Sequence, residues 1–261
     1  MNRDQNQGLD VRLLNGAAIA LFVIGALAIT LSLTRWMASR PAFAFTRITV
    51  LGDVVHCNVP TVRAHVVSRV KGSFFTMNLA QTREAFEAIP WVRRAVVHRE
   101  FPNRLRVQLQ EHEVVAYWGD ESEQRLLNSY GEVFDANVGE VDQDGLPRLN
   151  GPQSQSAQVL ATYQKVEPLF SALNLSIDAL ELSSQGSWRI ALAGGAKIEA
   201  GRGDSQEIAA RCRSFLSTLT RVVARYGRPV GALESADLRH ENGYALRLRG
   251  VSTLAAANST P

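Results

Sequence analysis

The chain has 261 residues, 46% hydrophobic and 20% charged, which excludes a wholly disordered chain and a polytopic membrane protein. Twenty-eight basic against 25 acidic side chains leave a net charge of +3, too close to neutral for a dedicated nucleic-acid binder. Two cysteines, Cys57 and Cys212, are too few for a disulfide framework or a Cys-rich zinc module, and the length fits one or two folded domains.

Leu13 to Thr34 comes first in chain order, 22 residues without a formal charge. As a helix rising ~1.5 Å per residue it reaches ~33 Å, enough for a hydrocarbon core of ~30 Å. Arg12 and Arg35 bracket it, and Trp36 stands where an interfacial aromatic belongs. No other stretch approaches this length, so the sequence predicts a single crossing over 13–34 with a short tail, 1–12, before it. A cleaved signal peptide is the competing reading, because Ala42-Phe43-Ala44 resembles a small-residue cleavage site. Against it, the apolar run exceeds the usual signal core of about 7–15 residues. Arg3 and Arg12 before the helix, against Arg35, Arg40 and Arg47 after it, leave the orientation undecided.

Beyond the helix, residues 45–113 carry 10 basic and 6 acidic side chains, and residues 114–261 carry 14 and 17. That shift predicts two domains with a boundary near Glu113. The first reads β-α-α-β-β. Phe45 to Leu51 is a strand that stops at Gly52-Asp53. A helix capped by Asn58 follows, with Val62, Val66, Val67 and Val70 on one face and Gly72 at its end. Asn78 caps a second helix with Leu79, Phe86 and Ile89 inward, closed by Pro90. Val92 to Arg99 and Arg104 to Glu111 are strands, with Leu105, Val107 and Leu109 facing in. The second domain reads as strand-rich with two helices. Val114 to Trp118, Arg125 to Asn128 and Val133-Phe134 are short strands; Ser156 to Leu173 is a helix that Pro168 should kink or end. Then come strands at Ala179 to Leu182, Trp188 to Ala193 and Lys197 to Ala200. Asp204 caps a helix to about Tyr226, whose apolar face includes Ile208, Cys212, Phe215, Leu219 and Val222. Ala236 to His240 and Tyr244 to Arg249 form a hairpin around Glu241-Asn242-Gly243. The tail from Val251 is small and polar and is expected to be disordered.

No set of residues assembles into a catalytic, cofactor or metal site. Ser68-x-x-Lys71 fits the start of a penicillin-binding pattern, but its Lys-Thr-Gly and Ser-Asp-Asn companions are missing. His112-Glu113 begins like a zinc-protease motif, yet Ala116 stands where the second histidine must be. His56-Cys57 has no nearby ligand partner, and the five histidines are scattered. Gly194-Gly195 and Gly201-Arg202-Gly203-Asp204 lack phosphate-binding spacing and read as turns. Arg93, Arg94, Arg99, Arg104 and Arg106 alternate with apolar residues, which fits either a solvated sheet face or a contact surface for an acidic partner. Cys212 falls on a helix's apolar face, so two separate thiols are favoured over a bridge to Cys57. The chain reads as a binding protein.

A specific order of residues runs through it: Val50-x-Gly52, Phe74-Phe75, Pro90-Trp91-Val92, Ala95, Val97-x-Arg99, Pro102, Leu105-x-Val107 and Glu111. Ala116-x-Trp118, Asn128-x-x-Gly131-x-Val133-Phe134 and Asp237-Leu238-Arg239 complete it. This order resembles the FtsQ/DivIB family of bacterial cell-division proteins from the membrane helix to about Gly250, most specifically from Pro90 to Phe134. Val114 stands in place of a frequent Pro, Phe101 of a common Trp, and His240 of a frequent Tyr. The resemblance implies an α+β chain: one N-terminal transmembrane helix, a β-α-α-β-β POTRA domain over 45–113, and a mostly antiparallel β domain with two helices over 114–250. It implies a cytoplasmic N-terminus, periplasmic domains, enrichment at the septum and no enzymatic activity. The expected role is an essential scaffold of the division machinery, binding FtsB and FtsL and also meeting FtsK, FtsW, FtsI, FtsN and FtsA. Carried over, the partner site falls on Arg239, His240, Asn242 and Gly243.

Elementary sheet chemistry agrees with that placement. A last strand offers N–H and C=O groups to an added strand, while flanking side chains select the partner. Leu246 and Leu248 are expected to point inward and Arg247 and Arg249 outward, with Arg239 and Tyr244 at the flanks. The bland alternative is that the outward arginines only guard an edge against aggregation. A POTRA-type periplasmic chaperone or receptor for envelope proteins is the alternative function, although such proteins carry several modules or a barrel.

Overall fold

The computed structural model describes residues 4–38, 45–52, 55–57, 59–66, 73–120, 122, 125–141, 145–240 and 243–251. Its contacts divide the chain into two units, Met1–Glu111 and His112–Pro261. The expected Asn58 cap, the 67–72 end of its helix and the Ser68-x-x-Lys71 pattern lie outside the described residues, as do Ala42-Phe43-Ala44, Glu241 and Asn242.

Helix α1 (Asp4–Ala38) contains the apolar stretch Leu14–Trp36, 23 residues of mean hydropathy 2.4, long and apolar enough to cross a membrane. None of that stretch is buried against the rest of the chain, so its side chains are left for another apolar medium. Its hydroxyls are satisfied within the helix: Thr30 donates to the Ala26 carbonyl at 2.7 Å and Thr34 to the Thr30 carbonyl at 3.0 Å. Such back-bonding removes the penalty of a bare hydroxyl in hydrocarbon.

The rest of the first unit is built on β3 (Arg104–Glu111), which lies between β1 (Arg47–Leu51) and β2 (Val92–Glu100). β1 runs parallel to β3 and β2 antiparallel to it. Being central, β3 buries its whole alternate set, Leu105, Val107 and Leu109. Helices α2 (Val59–Val66) and α3 (Leu79–Glu87) complete the unit. The Asn78 side chain caps α3 by accepting from the N–H groups of Ala80 (3.0 Å) and Gln81 (3.3 Å), and Phe86 and Ile89 are buried. Gly52, at φ +130°, closes β1 where a Cβ would stand 2.2 Å from the Leu109 carbonyl oxygen. Only glycine fits there, which gives the Val50-x-Gly52 pattern its physical cause.

The second unit is a nine-stranded sheet in the order β12-β11-β10-β9-β8-β7-β4-β5-β6. Its strands are β4 (Val114–Trp118), β5 (Arg125–Asn128), β6 (Val133–Asp135), β7 (Arg148–Asn150), β8 (Ile177–Leu182), β9 (Ser187–Leu192), β10 (Lys197–Arg202), β11 (Leu233–Asp237) and β12 (Ala245–Leu248). Five neighbouring pairs are antiparallel, and β4·β7, β7·β8 and β10·β11 are parallel. Helices α4 (Ser156–Ser171) and α5 (Ser205–Arg225) pack on each other and on the sheet. One core joins Trp118, Leu149, Phe170, Leu180, Trp188, Ile198, Phe215 and Leu219.

Some details differ from the sequence reading. Helix α4 runs past Pro168 to Ser171. A proline that deep costs one helical N–H donor, while the last turn is held by Phe170, fully buried. On α5 the buried residue is Val223, with Val222 only half-buried. Strand β7 was not foreseen, yet it joins the halves of the sheet, pairing Leu149 with Trp118 on one side and Leu180 on the other. The β5–β6 turn explains another part of the pattern. Asn128 is fully buried; its Oδ1 accepts from the N–H groups of Tyr130 and Glu132, both at 2.9 Å, and its Nδ2 donates to Glu132 at 2.7 Å. Gly131, at φ +79°, lies so close to α4 that a Cβ would stand 2.6 Å from the Ala157 Cα.

Candidate functional site

The terminal hairpin is built outward from α5. Asp204 caps that helix, accepting from the N–H groups of Gln206 (2.7 Å) and Glu207 (2.9 Å), and Glu207 returns the contact to the Asp204 N–H at 3.1 Å. α5 carries the chain across to β11, parallel to β10, and β12 then pairs antiparallel with β11. The hairpin is shifted from the expected range, because β11 starts at Leu233 and ends at Asp237. Buried Leu238 follows it, and Arg239 and His240 lie beyond the strand.

β12 ends the strand order, and among the described residues no strand lies outside it. Its polarity follows from two hydrogen bonds. The Leu238 N–H donates to the Glu199 carbonyl of β10 at 2.8 Å, which turns Ser235 and Asp237 towards β12 by strand alternation. Their register partners are Arg247 and Ala245, which therefore face β11 with their backbone groups. The Arg249 N–H, donated to the Ala232 carbonyl at 2.8 Å, gives the same alternation. The N–H and C=O of Leu246, between them, point to the outer flank. Leu248 is buried, Leu246 half-buried, and Ala245 and Arg247 exposed, so the strand is fastened on one face.

The side chains expected at the site have distinct surroundings. Arg239 forks onto Asp237, donating from Nε to Oδ1 at 2.9 Å and from a terminal nitrogen to Oδ2 at 2.6 Å. That guanidinium hydrogen bond holds the Asp237 carboxyl down at about 2, and Asp237 in turn raises Arg239 above its ordinary value. His240 and Gly243 are exposed, and Asn242 lies outside the described residues. Tyr244 turns to α5: its hydroxyl lies 2.7 Å from Thr218 Oγ1 and its ring meets Phe215 edge-on at 4.9 Å. Arg247 is paired with Glu234 at 3.2 Å while its side chain stays 73% exposed. The structure adds two fasteners that sequence reasoning missed. Arg249 donates to the Gly194 carbonyl, and Arg228 to the Gly250 carbonyl at 2.7 Å. Carbonyl targets carry no sequence signal, so neither contact could be read beforehand.

The basic residues of the first unit are largely tied up locally. Arg99 donates to the Met77 carbonyl at 2.5 Å, Arg106 pairs with Glu100, and Arg93 reaches Gln110 at 3.4 Å. Glu111, its side chain 8% exposed, accepts from the N–H groups of Val55 (3.0 Å), His56 (3.1 Å) and Cys57 (2.7 Å), and the His56 ring stacks on Trp91 at 3.8 Å. Burial pushes the Glu111 carboxyl up, but the hydrogen bonds from His56, Cys57 and Val55 outweigh it and leave the group below its ordinary value. Cys57 and Cys212 are buried, one in each unit, and burial pushes the Cys212 thiol up to about 12. Among the described residues no three His, Cys, Asp or Glu side chains stand together to hold a metal ion.

Comparison with known proteins covers both units. A family model described as POTRA domain, FtsQ-type, matches residues 43–112, and one described as cell division protein FtsQ/DivIB, C-terminal, matches residues 116–239. The chain is 38% identical over 245 residues to cell division protein FtsQ of Thiomonas arsenitoxydans, covering 93% of this chain and 89% of that one. It is 39% identical over 246 residues to cell division protein FtsQ of Burkholderia pseudomallei, covering 94% and 96%. With the FtsQ of Bordetella pertussis it shares 33% identity over 268 residues, covering 96% of each.

Proposed function

The chain belongs to the FtsQ/DivIB family of cell-division proteins, and from that premise we propose that it is a non-catalytic scaffold of the division machinery that binds FtsB and FtsL through β12. In this reading α1 anchors the chain in the inner membrane with the N-terminus cytoplasmic and both folded units periplasmic, enriched at the septum. FtsK, FtsW, FtsI, FtsN and FtsA are its further partners. The observation that carries the binding reading is the position of β12 at the sheet edge with the Leu246 N–H and C=O turned outward. An incoming segment adds a strand there, taking affinity from the backbone ladder and selectivity from Arg239, His240, Asn242, Gly243, Tyr244 and Arg247.

Leu246→Pro tests the ladder, because it removes an outward donor and leaves the β11–β12 bonds intact. Full-length detergent-solubilised protein carrying it should still fold, with a Tm lowered by the lost packing of the half-buried Leu246, and should capture an FtsB–FtsL complex at least tenfold more weakly. Folded Leu246→Pro and Arg239→Ala variants that both capture like the parent chain refute the docking mode. A fluorescent fusion tests the location: a septal ring is expected, and a uniform envelope signal would favour client handling.

A further inference from the structure

Four phenylalanines from three separate segments meet at the end of the first unit where β1 and β3 begin and β2 finishes. Phe74 is their hub: its ring lies 6.4 Å from Phe45, 5.2 Å from Phe75 and 5.8 Å from Phe101, the last two edge-on. Phe45 precedes β1, and Phe101 opens the β2–β3 turn. The Thr46 N–H, donated to the Asn103 carbonyl at 3.1 Å, clamps those two segments together. Arg99, through the Met77 carbonyl, ties down the segment that carries Phe74 and Phe75. The platform is therefore fixed, yet it is not a core, since Phe101 is 73% exposed and Phe75 53%. At about 200 Å² per ring the two present roughly 250 Å² of aromatic surface to their surroundings. Arg47 and Arg104, register partners across β1 and β3, are exposed at the same end.

Chain length says what lies nearest. Phe45 follows Trp36, the last residue of the apolar stretch, by nine residues, an extended reach of at most ~32 Å. Rings at that end of a tethered unit stay within reach of the bilayer that α1 is able to cross. Aromatic rings with arginines beside them match the boundary between acyl chains and phosphate headgroups. We propose that this end of the unit docks on the lipid surface, with Phe75 and Phe101 entering the headgroup boundary of the leaflet from which the chain emerges and Arg47 and Arg104 meeting anionic phosphates. The inference rests on α1 being embedded in the membrane and is independent of what the terminal hairpin binds. It makes the module a surface-seated element with a set orientation.

The test uses the full chain in vesicles of phosphatidylethanolamine and phosphatidylglycerol. Cys57 and Cys212 are 6% and 0% exposed, so an environment-sensitive dye reports an added thiol selectively. Dye on Phe75→Cys and on Phe101→Cys should be quenched at least twofold by doxyl-labelled lipid and shifted to the blue. Dye on Val96→Cys, midway along β2, and on Tyr226→Cys, in the second unit, should stay near its aqueous spectrum. Adding Arg47→Glu with Arg104→Glu should halve the quenching and remove its dependence on phosphatidylglycerol. A protein that floats with the vesicles while the dye at 101 stays as aqueous as at 226 overturns the inference. Shielding that grows with protein density and ignores the lipid quencher assigns the rings to a second copy of the chain and overturns it too. Failure to float at all removes the anchor reading itself, a separate outcome.

Discussion

Replacing Glu111 by Ala should loosen the loop over 55–57 and destabilise the first unit by ~3 kcal/mol. The magnitude follows from what the carboxylate accepts. Val55 is 82% exposed, so its N–H regains water when the acceptor is lost. The His56 and Cys57 donors, at 3.1 and 2.7 Å beside a side chain 8% exposed, do not. Two charge-assisted hydrogen bonds at ~1.5–3 kcal/mol each set the scale, reduced by whatever water enters. For a unit of this size that is a Tm decrease of ~12–24 °C in its transition. Differential scanning calorimetry of the full chain reads the transition, and hydrogen exchange at amides 55–57 reads the cause. The pH dependence has a definite sign. The folded carboxyl sits below its unfolded value of ~4.3, so its contribution is complete above that value and fades as pH falls through the lower folded one. Glu111→Gln should flatten this acid limb. Unchanged Tm and unchanged protection at 55–57 in Glu111→Ala would refute the reasoning.

Gly131→Ala should cost at least ~2 kcal/mol by denaturant unfolding, because a Cβ 2.6 Å from the Ala157 Cα at φ +79° must displace backbone. Tyr244→Phe should lower stability by ~1 kcal/mol through loss of the Thr218 contact. A carboxyl NMR titration should place Asp237 at about 2 and return it towards the ordinary range in Arg239→Ala. Its depressed value keeps the Asp237–Arg239 pair intact until pH falls through that midpoint.

Periodicity carried the legible part of the fold. The alternation of Leu105, Val107 and Leu109, the Asn78 cap, the 22-residue apolar run and the Asp204 cap are local signals, and each corresponds to an element. Beyond reach were features whose cause is distant in the chain. β7 has three residues and no period of its own; it exists because β4 and β8 leave a gap that Leu149 fills. Glu111 continues the inward alternation of Leu105, Val107 and Leu109, but spacing does not say what a carboxylate at that strand end accepts, and only the fold brings it to a loop 54 residues earlier. At the hairpin, the strand and its edge position could be anticipated. The inward commitment of Tyr244 and the fork of Arg239 on Asp237 could not, since spacing does not say which neighbour a side chain chooses.

β12 follows every other described strand in chain order, and it is also the strand that finishes the sheet. The ribosome delivers it after the core strands have emerged. The surface proposed for partner capture therefore comes into being only on a chain synthesised through residue 248. Premature termination before Ala245 would leave β11 as the border, with a different set of outward groups. Assembly would then select for complete molecules without a dedicated inspector.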